Sequence, residues 1–290
     1  MPNTYPVPAL HQLQWLTLRF DLQLQAPLEL PPVPGLLVHS FLGMALQQTA
    51  PTVFQQLFGG SDERGRPYAL YAPLKHPRRI NTGGNWSFEI RLFNQQVSHA
   101  AAVVQALLHI QQAGLGKQRA PFQLKGFAAL DRLGNPQADL GQARALTFAD
   151  LDAQPLPGPL HLQLLAPLRL KQRGDILRQP PDMALLLHRL IGRVSGLLGQ
   201  PEALLSHEQY QPLQHAAAQC RLLNAELSWL DAERYSARQQ QAMVLGGLYG
   251  QLEYSPPDPL LWPWLRLMQH LQLGNKTTFG FGKIGLAGSA

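Results

Sequence analysis

The chain opens with a run in which apolar and polar side chains alternate. Leu13 to Gln25 follows this period of two, which predicts a strand with one buried face. The apolar positions of the run are Leu16, Leu18, Phe20, Leu22 and Leu24. A Pro-Gly break at Pro31 to Gly35 follows, and apolar residues then recur near helical spacing through about Gln48. The first elements are therefore a strand, a break and a helix.

The rest of the first half continues with short strands around one helix. Strand-like runs lie at Pro67 to Ala72, Trp86 to Phe93 and Phe122 to Leu130. Ser98 to Ala113 predicts a helix, with Ser98 as its cap and Gly114 as its stop. The predicted order of the first half is β-α-β-β-α-β.

The second half repeats that order after a turn-rich stretch, Asp131 to Pro159, where we place a domain boundary. Strands are predicted at Leu160 to Leu170, Leu223 to Arg234, Val244 to Tyr254 and Thr277 to Leu286. Helices are predicted at Pro181 to Leu198 and Pro259 to Leu273. Two such units in tandem form the ferredoxin-like α+β pattern, which the four-stranded RNA-binding module also uses. We assign residues 1–140 to the first domain and 155–290 to the second.

Composition supports a folded protein with a preference for anionic partners. Apolar residues make up 45% of the 290, enough for a core, and 25 glycines with 25 prolines indicate many turns. Lys plus Arg number 24 against 18 Asp plus Glu, a net charge of +6. Most of the cations are arginine, whose rigid fork of donors suits phosphate and carboxylate groups. The charge is too small to identify the partner by itself.

The cysteine and histidine content argues against a metal centre. Cys220 is alone, which excludes internal disulfides and multi-cysteine metal sites and favours a reducing compartment. The nearest histidine pattern, His207-Glu208 with His215, is interrupted by Pro212, so we predict that it does not share one helix face. No signal-peptide pattern or apolar run of about 18 residues is present. We therefore expect a cytoplasmic protein with no metal, no cofactor and no membrane partner.

The glycine-rich stretch Leu273 to Gly285 is the most informative motif. Glycines let a phosphate approach backbone N–H groups, and two lysines add positive charge. We predict phosphate contacts here from Lys276, Gly280, Gly282 and Lys283. The spacing is not that of a Walker loop, and the alternative is a kinked terminal strand with no ligand. Gly114 to Lys117 holds the equivalent place in the first unit, so Lys117 is a further candidate.

A run of cations marks the second unit. Arg169, Lys171 and Arg173 alternate along the predicted strand, and Arg189 and Arg193 are four apart on the next helix. Such a patch would contact several backbone phosphates without reading sequence, although a solvated surface explains any one of these residues. A second cluster places Tyr235 between Arg234 and Arg238, a combination suited to base stacking and phosphate contact.

Five segments resemble the CRISPR precursor-RNA processing endoribonucleases of the RAMP superfamily. The specific ones are LHLQLLAPLRLKQRG, WLDAERYSARQQQAMVLGGLYG and LGNKTTFGFGKIGL in the second half. In the first half, PGLLVHSFLGMAL and QAGLGKQRAPFQL stand where that family has its first helix and first glycine-rich turn. Residues 131–159 have no counterpart.

The resemblance implies a metal-independent ribonuclease that cuts CRISPR repeat RNA at the base of a hairpin. The expected reaction is attack by a ribose 2′-hydroxyl on the adjacent phosphorus, leaving a 2′,3′-cyclic phosphate and a 5′-hydroxyl. The product would stay bound as part of an effector complex with other CRISPR subunits. Such chemistry needs in-line placement, general acid–base catalysis and stabilisation of phosphorane charge.

The resemblance also implies a catalytic histidine in the first helix, and His39 lies in its first turns. We predict that His39 is the general base and that Arg234 and Arg238 stabilise charge or donate a proton, with Lys171 and Tyr5 as further candidates. A histidine on a helix is more often structural. Two rival functions remain open: a non-catalytic RNA-holding subunit, and a small-molecule enzyme that binds a nucleotide at the glycine-rich stretch.

Overall fold

The structure, a computed structural model, describes residues 7–60, 64–137, 139–152, 154–200, 204–236 and 241–286. At residues 8, 233–236 and 241–244 it describes the backbone alone. None of the helices in these ranges has the length and apolar character that a membrane crossing requires.

The first unit is built on an antiparallel sheet. Its strands are β1 (Gln14–Leu24), β2 (Tyr68–Tyr71), β3 (Asn85–Phe93) and β4 (Phe122–Leu130). Its helices are α1 (Gly35–Thr49), α2 (Pro51–Phe58) and α3 (Ala100–His109). The strands lie in the order β2-β3-β1-β4, with every neighbouring pair antiparallel. The alternation in β1 buries Leu18, Phe20 and Leu22 in one core with residues of α1 and α3.

The second unit repeats this arrangement. Its strands are β5 (Leu160–Leu168), β6 (Leu222–Ser236), β7 (Gln241–Tyr254) and β8 (Ile284–Leu286). Its helices are α4 (Met183–Leu197), α5 (His207–Gln219) and α6 (Trp262–Leu271). The antiparallel order β6-β7-β5-β8 matches that of the first unit strand for strand. The tandem ferredoxin-like α+β fold is confirmed, while the boundaries at 140 and 155 stay a prediction.

Short elements connect these strands and helices. Two-residue ladders pair Leu28–Glu29 with Arg79–Ile80 and Lys171–Gln172 with Asp175–Ile176, and Leu146–Thr147 pairs with the start of β1. Single 3₁₀ turns occupy Pro8–Gln12, Asn94–His99, Ile110–Gln112, Leu140–Gln142, Phe148–Asp150, Pro259–Leu261 and Thr277–Phe279.

Three local predictions are wrong: where the last strand begins, which residue caps α3, and what Pro212 does to a helix. The last strand begins at Ile284, because Thr277–Phe279 forms a 3₁₀ turn and the glycines after it have positive φ. Ser98 does not cap α3, since its hydroxyl donates to the Gln95 carbonyl inside the preceding 3₁₀ turn. Pro212 does not interrupt α5: a reciprocal cap between Ser206 and Gln209 fixes the helix start, and the proline removes only one later N–H.

Two buried arginines join the units by donating to backbone carbonyls. Arg91 on β3 is 5% exposed and donates to the Thr17 hydroxyl at 2.7 Å and to the His270 carbonyl. Arg193 on α4 is 2% exposed and donates to the carbonyls of Arg64 at 2.6 Å and Arg66 at 3.2 Å. Each therefore links an element of one unit to backbone of the other, with its charge in the interior.

A small apolar cluster at the junction positions the site. It comprises Val33, Leu36, Ala232, Leu245, Phe279 and Phe281. These residues come from the start of α1, from the paired strands β6 and β7, and from the glycine-rich segment before β8. Three parts of the chain that are distant in sequence therefore meet at the amino end of α1.

Candidate functional site

The amino end of α1 lies directly against the glycine-rich segment. A Cβ atom on Gly35 would be 2.5 Å from the Phe279 carbonyl oxygen and 2.7 Å from the Cα of Gly280. Gly280 itself has φ of 84°, in the region that favours glycine. Two glycines thus allow backbone to approach backbone, and the contact brings His39, one turn into α1, onto this segment.

His39 is half-buried and held by polar and aromatic neighbours. Its Nδ1 lies 3.1 Å from the Thr278 carbonyl oxygen and 2.9 Å from the Tyr68 hydroxyl. The Phe279 ring meets the imidazole edge-on at 4.2 Å between centroids. Because a carbonyl only accepts, we infer that Nδ1 carries the proton and that the lone pair of the neutral ring is on Nε2. That tautomer suits a general base.

The glycines of this segment serve packing instead of holding a phosphate. The N–H of Gly280 donates to the Thr277 carbonyl at 3.1 Å, and the N–H of Gly282 donates to the Pro167 carbonyl at 2.9 Å. Both glycines are buried and have positive φ. The predicted phosphate contacts at Gly280 and Gly282 are therefore wrong, because protein carbonyls already use the donors.

Sequence reasoning missed two residues that fix the site. Gln272 is 1% exposed, and its carboxamide donates to the Leu70 carbonyl at 2.8 Å and the Phe281 carbonyl at 2.9 Å. It ties β2 of the first unit to the glycine-rich segment. The available signal was a single amide between Leu271 and Leu273. Tyr68 read as an ordinary strand residue, and nothing in the sequence linked it to His39.

The predicted cations fall into different environments. Lys171 and Arg173 are exposed, but they lie in a tight two-strand turn and not along one extended strand, so the predicted common face is wrong. Arg189 on α4 donates to the Lys171 carbonyl, and Arg169 donates to the Gly246 carbonyl at 2.7 Å. In the first unit, Lys117 is exposed in the turn that follows Gly114.

Lys276 lies near an aromatic neighbour of His39. It is half-buried, has φ of 70°, and its Nζ lies 5.9 Å from the centre of the Phe279 ring. That ring also contacts His39. Lys276 is therefore placed to bring positive charge near the imidazole.

Arg193 and Lys283 do not lie on the predicted RNA-binding surface. Arg193 is buried between the units, so it cannot reach a phosphate without breaking its bonds to backbone carbonyls. Lys283 lies in the cleft between the two sheets, 3.3 Å from the Gln269 carbonyl and over the Tyr71 ring. Burial, with the nearby charge of Arg91, lowers the pKa of Lys283 to about 8. Burial likewise lowers the pKa of His270, which lines the same cleft.

The lowered pKa of Lys283 predicts that the free energy of unfolding rises at alkaline pH. Its folded pKa of about 8 lies below the ordinary value of 10.5, so the unfolded chain binds more protons between these values. The free energy of unfolding contributed by this lysine should therefore increase from pH 8 to 10.5 and stay constant below that window. Urea titrations of the native protein and Lys283→Met across the window measure it: the native protein should gain stability relative to the variant, and parallel curves would contradict the assignment.

Arg234 and Tyr235 lie near the end of β6, where it pairs with β7. Arg238 lies outside the described residues, and for Arg234 and Tyr235 the structure describes backbone only, in register with Met243 and Ala242. Ala232, two residues earlier, packs with Phe279 in the junction cluster. The paired strands therefore pass the junction cluster at Ala232 and continue to Ser236 and Gln241.

A basic loop on the first unit also begins at this junction and was missed. Leu74 packs against the junction cluster, and the next five residues include Lys75, Arg78 and Arg79, all exposed. Two contacts hold the other end. Ile80 is buried, with 6% of its surface exposed, and the Leu30 N–H donates to the Arg78 carbonyl at 2.8 Å. We call residues 75–79 the basic loop; its signal was the sequence KHPRR.

Among the described residues, no three or more His, Cys, Asp or Glu side chains are grouped to hold a metal ion. The junction built by both units instead holds the imidazole, with Lys276 against the Phe279 ring and the basic loop beginning at Leu74. An imidazole with cations on neighbouring segments suits acid–base chemistry on an anionic substrate.

The comparisons with known proteins agree with this architecture. Residues 162–284 match the family of CRISPR-associated endoribonuclease Cas6, and residues 49–149 match a family described as an N-terminal domain. No curated protein matches the chain by sequence.

Solved structures match over nearly the whole chain. A Cas6 product complex is 17% identical, with a TM-score of 0.64, and the match covers 94% of this chain and 99% of that one. Thermus thermophilus Cas6 is 13% identical, with a TM-score of 0.63 and coverage of 94% and 98%. A RAMP protein that binds different RNA substrates is 15% identical, with a TM-score of 0.54 and coverage of 93% and 99%. Residues 162–284, most of the second unit, thus match the Cas6 endoribonuclease family, and the whole chain shares the fold of solved Cas6 and RAMP structures.

Proposed function

We propose that this protein cuts CRISPR repeat RNA at the base of a hairpin, without a metal ion, and that His39 is the general base. The observation that carries the proposal is the 3.1 Å contact between His39 Nδ1 and the Thr278 carbonyl. It favours the tautomer in which Nε2 accepts a proton, and it fixes the ring against a segment from the other unit. In the proposed reaction Nε2 takes the proton of a ribose 2′-hydroxyl as that oxygen attacks the adjacent phosphorus.

Cations near His39 support the proposed attack, because they would stabilise the negative charge that develops on the phosphorane. Attack adds negative charge to the phosphorane, and Lys276 beside Phe279 would stabilise it at short range. Arg234 on β6 and Arg238 are proposed to contact the same phosphate or protonate the leaving 5′-oxygen. Loss of the P–O5′ bond then leaves a 2′,3′-cyclic phosphate and a 5′-hydroxyl.

The solved relatives support RNA and CRISPR proteins as partners. One was solved with a substrate mimic, another as a product complex, and a third as part of a Cas6-RT-Cas1–Cas2 complex. We propose that this chain likewise binds repeat RNA and then associates with other CRISPR subunits. Lys117, Lys171, Arg173, Arg189 and the basic loop are its proposed backbone contacts.

Cleavage in the presence of EDTA tests the reaction. We expect a repeat hairpin to be cut at one position, with a 5′-hydroxyl that accepts phosphate from a kinase without prior phosphatase treatment. A 2′-deoxy substitution at the scissile nucleotide should block the cut. Loss of activity in EDTA, or products with a 5′-phosphate, would refute the mechanism, and tight binding without any cut would instead indicate an RNA-holding subunit.

The basic loop predicts a salt-sensitive share of RNA affinity. Replacing Lys75, Arg78 and Arg79 with glutamine should weaken hairpin binding about tenfold or more near physiological salt. The slope of log K against log salt concentration should also become less steep by about two to three, because three cations no longer contact phosphates. Fluorescence anisotropy over a salt series measures both. Lys125→Gln on β4 is the matched control, since Lys125 is exposed on another edge. An unchanged slope in the triple variant would remove the loop from the RNA path.

A further inference from the structure

A second cavity lies next to the glycine-rich segment, and the proposed cleavage step does not use it. Its volume is about 670 Å³, within the range typical of ligand pockets. Side chains from α4, the start of α5 and the residues before it line the cavity, and Gly274 and Asn275 close one side. Asn275 is three residues before Thr278, the partner of His39, so the two sites are at most about 10 Å apart along the backbone.

The lining combines apolar surface with positive charge. Leu204, Leu205 and Tyr210 contribute the apolar part, while Arg64, Lys171 and Arg189 contribute guanidinium and ammonium groups. Among the described residues that line the cavity there is no carboxylate. An apolar wall beside several cations suits a ligand that has both an aromatic ring and a phosphate.

Arg189 carries a donor that the fold leaves unused. One of its terminal nitrogens donates to the Lys171 carbonyl, but its Nε is buried and has no hydrogen-bond partner among the described residues. A buried donor without a partner costs about 1–3 kcal/mol. The Nε has almost no accessible surface, so an anionic oxygen in the cavity would reach it only after a small movement of the side chain.

Gly192 keeps the cavity open. It lies in the middle of α4, where glycine costs about 0.5–1 kcal/mol relative to alanine. A Cβ on Gly192 would meet no atom within 4 Å, whereas one on Gly196, a turn later, would be 2.6 Å from the Arg64 carbonyl carbon. Close packing therefore explains Gly196 but not Gly192, and the open space beside Gly192 is the cavity that it lines.

We propose that this cavity binds one nucleotide, with the base against Tyr210 and the two leucines and the phosphate on Lys171 and Arg189. Its position beside the glycine-rich segment favours an unpaired nucleotide that flanks the RNA hairpin; this assignment of the source rests on the proposed function. A free mononucleotide has the same chemistry and is the other source.

Two RNAs and three variants test the proposal. The RNAs are the repeat hairpin with and without a short unpaired extension, both 2′-deoxy at the scissile position so that binding is read without cleavage. The variants are Gly192→Leu, which fills the cavity, Gly192→Ala as the matched control, and Arg189→Gln. We expect the native protein and Gly192→Ala to bind the extended RNA about tenfold more tightly than the trimmed one. Gly192→Leu and Arg189→Gln should lose that difference.

Calorimetric titration with AMP and UMP separates the two sources. Binding of a mononucleotide that Gly192→Leu abolishes, with no effect of the extension, would support the cavity and assign it to a free nucleotide. The proposal is overturned if Gly192→Leu keeps its melting temperature and changes neither the affinity gained from the extension nor the affinity for a mononucleotide. Should that variant not fold, Arg189→Gln decides in the same way. Cleavage of the trimmed all-ribose hairpin by the native protein, measured in parallel, reports on the proposed function separately.

Discussion

Replacing His39 with alanine is expected to lower the single-turnover cleavage rate of a repeat hairpin by about a hundredfold or more, because removal of a general base costs that much. RNA affinity should stay within about threefold, since the proposed backbone contacts are cations on other segments. Imidazole added to the variant should restore part of the rate.

His109→Ala is the matched control, because that histidine is also helical but exposed at the end of α3. If His39→Ala cuts at the native rate, the imidazole has no catalytic part, and Arg234 and Arg238 become the remaining candidates. If affinity falls as far as the rate, His39 acts in binding or folding instead.

Gly35→Ala is expected to destabilise the protein, although alanine is the better helix former. The added methyl group would lie 2.5 Å from the Phe279 carbonyl oxygen and 2.7 Å from the Cα of Gly280, both backbone atoms that cannot rotate away. We expect a loss of about 1–3 kcal/mol in the free energy of unfolding. The cleavage rate should fall as well, because the same movement separates Thr278 from His39.

Gly192→Ala is the matched control, because its change in the free energy of unfolding should have the opposite sign. It is the same substitution within a helix, but the new methyl group meets open space, so it should raise the free energy of unfolding by about 0.5–1 kcal/mol. Urea titrations of both variants measure the two effects. A stabilised Gly35→Ala would show that α1 and the glycine-rich segment are not in the contact described.

Much of the fold follows from local pattern. The period of two in β1 and the helical spacing in α1 reflect which face of each element is buried, so they could be read directly. The repeat of the same element order predicted the tandem arrangement. Pro212 misled because a strong cap at Ser206 outweighs one missing N–H, an energetic balance that the residue type alone does not show.

The site was predictable only in part. His39 and the glycine-rich segment were both identified, but their contact joins residues 239 positions apart and depends on how the units dock. The use of the N–H groups of Gly280 and Gly282 by protein carbonyls depends on the same docking. So does the burial of Arg193, since a basic residue on a helix reads as surface until its neighbour in space is known.

The 239-residue separation of His39 from Thr278 also sets an order of events during synthesis. At 5–20 residues per second, Thr278 leaves the ribosome roughly 10–50 seconds after His39. Until then the imidazole has no carbonyl to fix its tautomer. A nascent or truncated polypeptide would therefore be unable to cut transcripts, and nuclease competence would begin only when both halves have been made and joined.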